Sequence, residues 1–484
     1  MTAECIQKIR NNNNKIIAYR LRDEKGAVIE VDSEKLKEAI RNKKINIKNI
    51  KLTQDGRLID RKYTYAFIKK ELLTAINCKK HIRFMCGEEA SLIMNKARLL
   101  GQLSAPDIFV WKKQDEVIVI TDCDGFTILT GRDLFFNKDF TSIDMRNIDT
   151  SHVSDMGYMF ASTNLEYIKW GDMDTSNVEN MEGMFSRCKV KYIEFSSFDT
   201  HNVVNMNSMF LEFETEKLDL RTFDTSKVKD MSDMFNTCGA KAINFDSFNT
   251  SNVLDMDGMF YKCQTPRLDL HNFNTSQVKN MLRMFSYCEA EQLNLSSFDT
   301  SSVETMTEMF AGCKADVLNL QSFNTRNVKT MSKMFSNCNL RLLNVSSFNT
   351  QRLTDMSAMF SGCVANEIDL RSFDTSYVTD MSFAFHDCKA GIINLATLKT
   401  SEVTDMYAMF KGCRTQKLEL SSFATRSVVD MTDMFRECVV DYVDLHTFIV
   451  RTVTLIKNMF FKSKIKSIDI SHPSIQSEYE NRIR

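Results

Sequence analysis

The stretch FDTSSVETMTEMFAGCKADVLNLQS, residues 298–322, is the unit from which most of the sequence is built. Its Met-Phe pair recurs every 25 residues from Met159 to Met459, in thirteen copies without insertion or deletion, one of which has Ala384 in place of Met. Stacked repeat proteins need such a fixed period, because each repeat contacts only its neighbours and one insertion would dislocate the stack. The sequence therefore predicts a solenoid of thirteen 25-residue repeats over residues 139–463.

Two spacings of apolar residues within the unit predict its local structure. Val303, Met306, Phe310 and Cys313 follow the spacing of a short amphipathic helix. An x-Leu-x-Leu pattern comes next and predicts a strand with one buried face. A Thr precedes the helix in twelve of the thirteen copies, where its hydroxyl can cap the first turn. The expected fold class is an α/β repeat solenoid, a stack of strand-helix coils with a parallel sheet.

The repeat also resembles a known family. The phrase F-[DN]-T-S-x-V-x-[DN]-M-x-x-M-F-x-x-C, followed by x-L-x-L, is similar to the repeat of BspA-like leucine-rich-repeat surface proteins of mycoplasmas and firmicutes. The resemblance covers about residues 139–470. It implies a right-handed, leucine-rich-repeat-like solenoid, no enzymatic activity in the repeats, and a role in adhesion or protein contact.

The rest of the chain is expected to consist of attachments to the solenoid. Residues 1–14 are expected to form a flexible tail, and residues 15–62 a small basic ββαβ module. Residues 63–138 do not repeat, and we expect an α+β cap that covers the open end of the stack. Residues 464–484 are expected to add a C-terminal cap strand and a tail.

Charge and hydropathy limit the partners and the location. Residues 1–62 hold 16 Lys and Arg against 9 Asp and Glu, a balance of +7, and the whole chain has a net charge of −1, which leaves −8 for the remainder. Nucleic acid or another polyanion is therefore a candidate partner only for the basic module. The first residues lack the apolar core of a signal peptide, and no segment is apolar enough to span a membrane. We expect an intracellular location, with the cell surface as the alternative.

Two motifs before the repeats carry chemistry. Asp122 and Asp124 follow an apolar strand, as in the first motif of haloacid-dehalogenase phosphatases. That fold needs a further domain, and here the solenoid begins within about twenty residues. Four soft ligands stand at spacings that match no known zinc pattern. They are Cys78, His81, Cys86 and Cys123. We expect no enzyme, no cofactor and no metal, and keep a phosphatase-like enzyme at Asp122 and Asp124 as a remote alternative.

Sulfur-containing side chains form columns that we interpret as core. Ten cysteines between Cys188 and Cys438 follow the 25-residue period. We expect them to be reduced, because parallel side chains on neighbouring coils need not present the dihedral angle that a disulfide requires. Two methionine columns run beside the phenylalanine column, where thioether and ring contact each other favourably.

The outward strand positions are the best candidates for binding. One column there is almost uniformly Asp, Asn or Glu and looks structural, whereas the column two residues later varies and looks like a recognition surface. Because helices are wider than strands, we expect the sheet to be concave and to turn these side chains toward one partner. The candidates are Glu194, Asp219, Arg221, Asp269, His271, Gln321, Asp369, Arg371, Asp444 and His446.

The sequence thus predicts a non-enzymatic protein-protein interaction scaffold that binds a protein partner on the concave sheet face. The alternative is a structural spacer or a self-assembling component, in which the repeat only sets a length.

Overall fold

The computed structural model describes residues 2–10, 16–23, 27–42, 46–47, 50–52, 58–60, 81–86, 90, 98–99, 108–112, 114–121, 126–128, 130–171, 173–315, 317–451 and 454–481. Within them the chain forms a β-solenoid of about thirteen turns with parallel sheets. The chain divides into two units, residues 1–178 with 196–199 and residues 179–195 with 200–484. The predicted tandem repeat, solenoid and parallel pairing are confirmed.

The first unit begins with a small sheet and one helix. Its elements are β1 (Thr2–Arg10), β2 (Ile16–Asp23), β3 (Val28–Asp32), α1 (Ser33–Arg41), β4 (Asn46–Ile47), β5 (Ile50–Leu52) and β6 (Leu58–Asp60). Strands β1 to β4 pair in the order β3-β2-β1-β4, and β5 pairs with β6. Residues 2–10, which the sequence analysis placed in a flexible tail, form β1. This strand pairs antiparallel with β2.

A second sheet of the same unit joins the region before the repeats to the first repeats. Its strands are β7 (His81–Met85), β8 (Arg98–Leu99), β9 (Ile108–Lys112), β10 (Glu116–Thr121), β12 (Ser142–Asp144) and β14 (Tyr167–Lys169), and β11 (Phe126–Thr127) pairs separately with β13 (Ile148–Asp149). The order is β14-β12-β7-β10-β9-β8. Because β7 is parallel to both β12 and β10, the described strands before the repeats extend the ladder of the repeats.

The repeat starts one coil earlier than the predicted boundary at residue 139. Leu134 and Phe135 take the places of Met and Phe, and the ring of Phe135 stacks on that of Phe160 with centroids 5.4 Å apart. Asp133 and Asn137 have positive φ angles of 55° and 53°, as the corresponding residues of later coils do. The Met-Phe period does not predict this coil, because leucine replaces methionine there.

From residue 217 onward, every coil of the second unit carries a strand, and in one coil the strand is divided into two short pieces, Asn339–Leu340 and Leu342–Leu343. The strands are β15 (Lys217–Asp219), β16 (Ala242–Asn244), β17 (Arg267–Asp269), β18 (Gln292–Asn294), β19 (Val317–Leu318), β20 (Asn339–Leu340), β21 (Leu342–Leu343), β22 (Val364–Asp369), β23 (Lys389–Asn394), β24 (Arg414–Glu419), β25 (Val439–Leu445) and β26 (Lys464–Ile470). Pairing is parallel and in register at the 25-residue period, as Leu268 opposite Leu293 shows. Among the described residues of this unit, the sheet with the most strands has the order β20-β22-β23-β24-β25-β26.

The predicted helix of each coil is replaced by a run of tight turns. In the coil of residues 298–322, the N–H of Met309 bonds to the carbonyl of Met306 at 3.1 Å, an i to i+3 turn. Glu308 and Gly312 have φ angles of +56° and +63°, which an α-helix excludes. The intervening N–H groups bond to the next coil, as from Phe310 to Met334 at 3.0 Å. The strand-helix coil is therefore not confirmed. The spacing of inward residues fits both a helix and a run of turns, and the φ angles and the bonds between coils distinguish the two.

The threonine column bonds coils together and does not cap helices. Thr300 is fully buried, donates its hydroxyl to the carbonyl of Asn324 at 3.1 Å and accepts the Asn324 N–H at 2.8 Å. The same exchange recurs from Thr225 to Asn249. The Asp or Asn that precedes most of these threonines accepts an N–H two residues later, as Asp299 does from Ser301, and so closes the turn.

The interior consists of the predicted columns. The Met, Phe and Cys columns are almost completely buried. Phenylalanine rings from Phe185 to Phe460 stack without interruption, with successive centroids 5.4–6.0 Å apart. The ten cysteines of the column are free thiols. Identical layers therefore bury identical side chains against each other.

A short helix, α2 (Pro473–Glu480), follows the last strand where a polar tail was expected. His472 caps its first turn by accepting the Ser474 N–H, and Pro473 occupies a first-turn position that needs no N–H. Ile475 is fully buried, and the ring of Tyr479 meets that of Phe460 edge-on at 5.3 Å. The helix therefore covers the end of the phenylalanine stack.

Candidate functional site

The outward face of the second unit's sheet carries the candidate residues. We use two names for its side chains. The acid-amide column comprises Glu194, Asp219, Asn244, Asp269, Asn294, Asn319, Asn344, Asp369, Asn394, Glu419, Asp444 and Asp469, and the variable column comprises Arg221, Asp246, His271, Ser296, Gln321, Ser346, Arg371, Ala396, Ser421 and His446. Alternation in the strand turns the apolar residues between them inward and leaves both columns at the surface.

Four of the predicted site residues form two arginine-carboxylate pairs. Arg221 contacts Asp219 through Nε at 2.9 Å and Nη2 at 2.7 Å, a two-point contact. Arg371 contacts Asp369 in the same way, at 2.9 Å and 2.6 Å. The hydrogen bonds from Arg221 lower the pKa of Asp219 to about 2, and those from Arg371 also lower the pKa of Asp369. Each arginine is thus held in a fixed orientation with its remaining N–H groups toward solvent.

Two further pairs combine aspartate and histidine. His271 Nδ1 lies 3.2 Å from an oxygen of Asp269, and His446 Nδ1 lies 2.5 Å from an oxygen of Asp444. The hydrogen bond with Asp444 raises the pKa of His446. Both imidazoles are about half exposed. These histidines can therefore present a ring edge to a ligand.

The acid-amide column also shapes the turn that follows each strand. The side chain of Asn319 accepts the backbone N–H of Gln321 at 3.3 Å, and Asn344 accepts that of Ser346 at 3.0 Å. Contact within one coil is therefore common in this column. Bonding from one coil to the next is present where Asn294 donates to Asp269 at 3.0 Å.

The candidate residues form an extended array and no single pocket. Asp219 and Asp444 are nine coils apart, which at about 4.8 Å per strand is roughly 43 Å. Glu194 and Gln321 are exposed on the same face, each in a coil that holds no other candidate residue. A cleft of about 350 Å³ adjoins Asp369 and Arg371, and one of about 190 Å³ adjoins Asp269. The arrangement suits contact with a large partner better than enclosure of a small molecule.

Sequence reasoning missed an apolar contribution to this face. Tyr192, Leu342 and Ile392 occupy the outward strand position two residues before the acid-amide column, with 66%, 58% and 46% of their surface exposed. Val364 is also exposed at the start of β22. The sequence contained a signal for these side chains. In a strand with one buried face, apolar and polar residues alternate, and an apolar residue at an outward position breaks that alternation.

The predicted chemical motifs before the repeats fall largely outside the described residues. Asp122, Asp124, Cys78 and Cys123 lie there, so their geometry is not part of the structure. His81 is exposed and its Nδ1 lies 2.8 Å from the hydroxyl of Ser142. Among the described residues, three side chains with metal-ligating atoms converge at Asp444, His446 and Asp469.

The repeats match a family model described as "Mycoplasma protein of unknown function, DUF285". The matched segments are residues 130–246, 211–323, 236–348, 308–391 and 379–479, which together span more than two thirds of the chain. The chain belongs to this family. No curated protein and no solved structure shows significant similarity to it. The DUF285 repeat here is the 25-residue coil of one strand and successive tight turns.

Helices are few and short in the part of the chain that the structure describes, and none of them combines the length and apolarity of a membrane span.

Proposed function

We propose that this DUF285 protein is a non-enzymatic interaction scaffold that binds a protein partner on the outward sheet face of its solenoid. One observation carries the proposal: the interior columns hardly vary from coil to coil, whereas the variable column changes size and charge while it stays exposed. A rigid ladder that displays different side chains at fixed spacing is the property by which repeat proteins recognise partners.

The composition of the face supports a protein as the partner. Oriented arginines, such as Arg221 and Arg371, and exposed apolar side chains, such as Tyr192 and Ile392, are the residue types that dominate binding energy at protein interfaces. The likeness to BspA-like surface repeats extends the proposal to adhesion or recognition at a cell surface.

The test compares two triple variants of the full chain as baits. The first carries Arg221→Ser, His271→Ser and Arg371→Ser on the proposed face. The control carries Lys229→Ser, Gln277→Ser and Lys279→Ser, which are exposed positions of another face. A partner captured by the wild-type chain is purified, and its affinity for each variant is measured by calorimetry.

The proposal expects the first variant to bind about tenfold more weakly or worse, and the control to bind like the wild type. Equal affinity of both variants, with circular dichroism showing both folded, would exclude this face. Defined oligomers of the purified chain in the absence of a partner would favour the self-assembling alternative.

A further inference from the structure

A cluster of metal-ligating atoms joins the last two strands of the solenoid. Asp444 ends the outward face of β25, His446 follows it by two residues, and Asp469 lies opposite Asp444 in β26. A carboxylate oxygen of each aspartate and a ring nitrogen of the histidine all lie within 4.8 Å of one another. The cluster is open to solvent on the sheet face.

The surroundings leave this cluster with surplus negative charge. Glu419, Asp444 and Asp469 stand next to one another in three successive strands. The nearby cations contact other carboxylates, since Lys417 pairs with Glu419 and Lys466 pairs with Asp441 at 2.7 Å. Like charges that stand side by side on neighbouring strands disfavour the sheet unless a cation separates them.

The same chain contains a matched arrangement without the second carboxylate. Asp269 and His271 repeat the spacing of Asp444 and His446, but the residue in register on the next strand is Asn294. Its amide donates a hydrogen bond to Asp269 at 3.0 Å and needs no cation. The replacement of this amide by Asp469 in the last coil removes a donor and adds a ligand.

We propose that Asp444, His446 and Asp469 bind a divalent transition-metal ion of the zinc type, which ties β26 to β25 at the end of the stack. One imidazole and two carboxylates suit Zn²⁺ and its neighbours better than Ca²⁺ or Mg²⁺, which prefer all-oxygen sites. Tetrahedral Zn²⁺ with bonds of about 2.0 Å holds its ligand atoms roughly 3.3 Å apart, so shifts of up to about 1.5 Å in exposed side chains complete the site. The fourth position remains open to water or to a group of a partner.

Such an ion has a structural consequence at this place. The last coil of a solenoid has only one neighbouring coil, so it is the coil most prone to open locally. A metal bridge between Asp444 and Asp469 would add a link across the final pair of strands. The sequence analysis expected no metal here, because Asp444 and Asp469 are 25 residues apart and only the register brings them together.

The test measures binding of Zn²⁺ alone to the full chain after treatment with a chelator. Titration calorimetry compares the wild type with His446→Ala, Asp469→Asn and the control His271→Ala. Asp469→Asn recreates the side chain found at position 294, so this variant is expected to fold. Hydrogen exchange of β26 with and without Zn²⁺ reports the bridge independently of the titration.

The proposal expects His446→Ala and Asp469→Asn to lose one Zn²⁺ or to bind it at least about tenfold more weakly, while His271→Ala retains it. Zn²⁺ should slow hydrogen exchange in β26 of the wild type and of His271→Ala, and should leave it unchanged in His446→Ala and Asp469→Asn. The reciprocal variant Asn294→Asp should gain one Zn²⁺ at Asp269 and His271. Equal Zn²⁺ binding by the wild type, His446→Ala and Asp469→Asn would overturn the proposal, and so would an Asn294→Asp chain that gains no ion.

Discussion

Replacing Thr300 by valine should show how strongly one hydroxyl bonds two coils together. The side chain is fully buried and makes two hydrogen bonds with the backbone of Asn324, one as donor and one as acceptor. Valine keeps the shape and removes both bonds, which leaves a backbone N–H and a carbonyl of the next coil without these partners. An unsatisfied group of this kind costs about 1–3 kcal/mol, so we expect Thr300→Val to lose about 2–4 kcal/mol of unfolding free energy.

Two controls separate this effect from packing and from surface changes. Thr300→Ser keeps the hydroxyl and removes one buried methyl group, so it should lose only about 1 kcal/mol. Thr354→Val changes an exposed threonine whose side-chain hydroxyl donates to the carbonyl of Lys329 at the surface, and it should change stability by about 0.5 kcal/mol or less.

The assay is urea unfolding of the full chain followed by circular dichroism, with the slope of the transition checked for equality among the variants. The expected order of destabilisation is Thr300→Val, then Thr300→Ser, then Thr354→Val. If Thr300→Val were no more destabilising than Thr300→Ser, the hydroxyl would not bond the coils as described.

Three further predictions follow from burial and backbone geometry. Burial raises the pKa of Asp405, and repulsion from Asp380 and Asp430 adds to the shift, so the charged form of this side chain destabilises the fold. Asp405→Asn should therefore raise the unfolding temperature at pH 7. The gain should vanish as the pH falls below about 4, because Asp405 is then protonated in both the folded and the unfolded chain. Gly412→Ala should lower the unfolding temperature by several degrees, because a Cβ there would lie 2.0 Å from Oδ1 of Asp387. The ten column cysteines should resist a thiol reagent in the native protein and react in denaturant; ten fewer reactive thiols after denaturation would indicate disulfides.

The sequence predicts the architecture well because the period itself is a structural constraint. A 25-residue repeat without slips requires equivalent coils, and the buried Met and Phe columns follow from the apolar positions they occupy. The prediction fails for Val303–Cys313, whose inward spacing is shared by a helix and by successive turns. The deciding bonds run from one coil to the next, as from Thr300 to Asn324, and no window within one repeat contains both partners.

The candidate site was predictable as a face but not as a set of contacts. Alternation places Asp219 and Asp369 outward, and the structure keeps them there. Their pairing with Arg221 and Arg371 depends on the turn after the strand, which brings the variable side chain back over the acid-amide column. His446 and Asp469 come together because β25 and β26 pair in register, and this pairing is a property of the structure that neither residue shows by itself.

Deletion of whole and incomplete repeats tests most directly whether coils stabilise each other through register. Removal of residues 298–322 deletes one complete coil and joins Ser297 to Phe323, so every later side chain keeps its place. Removal of residues 298–321 deletes one residue fewer and shifts the junction out of register. We predict that the first deletion unfolds cooperatively at close to the wild-type temperature and that the second melts at a much lower temperature. Equal melting temperatures for the two deletions would contradict the stack of mutually supporting coils.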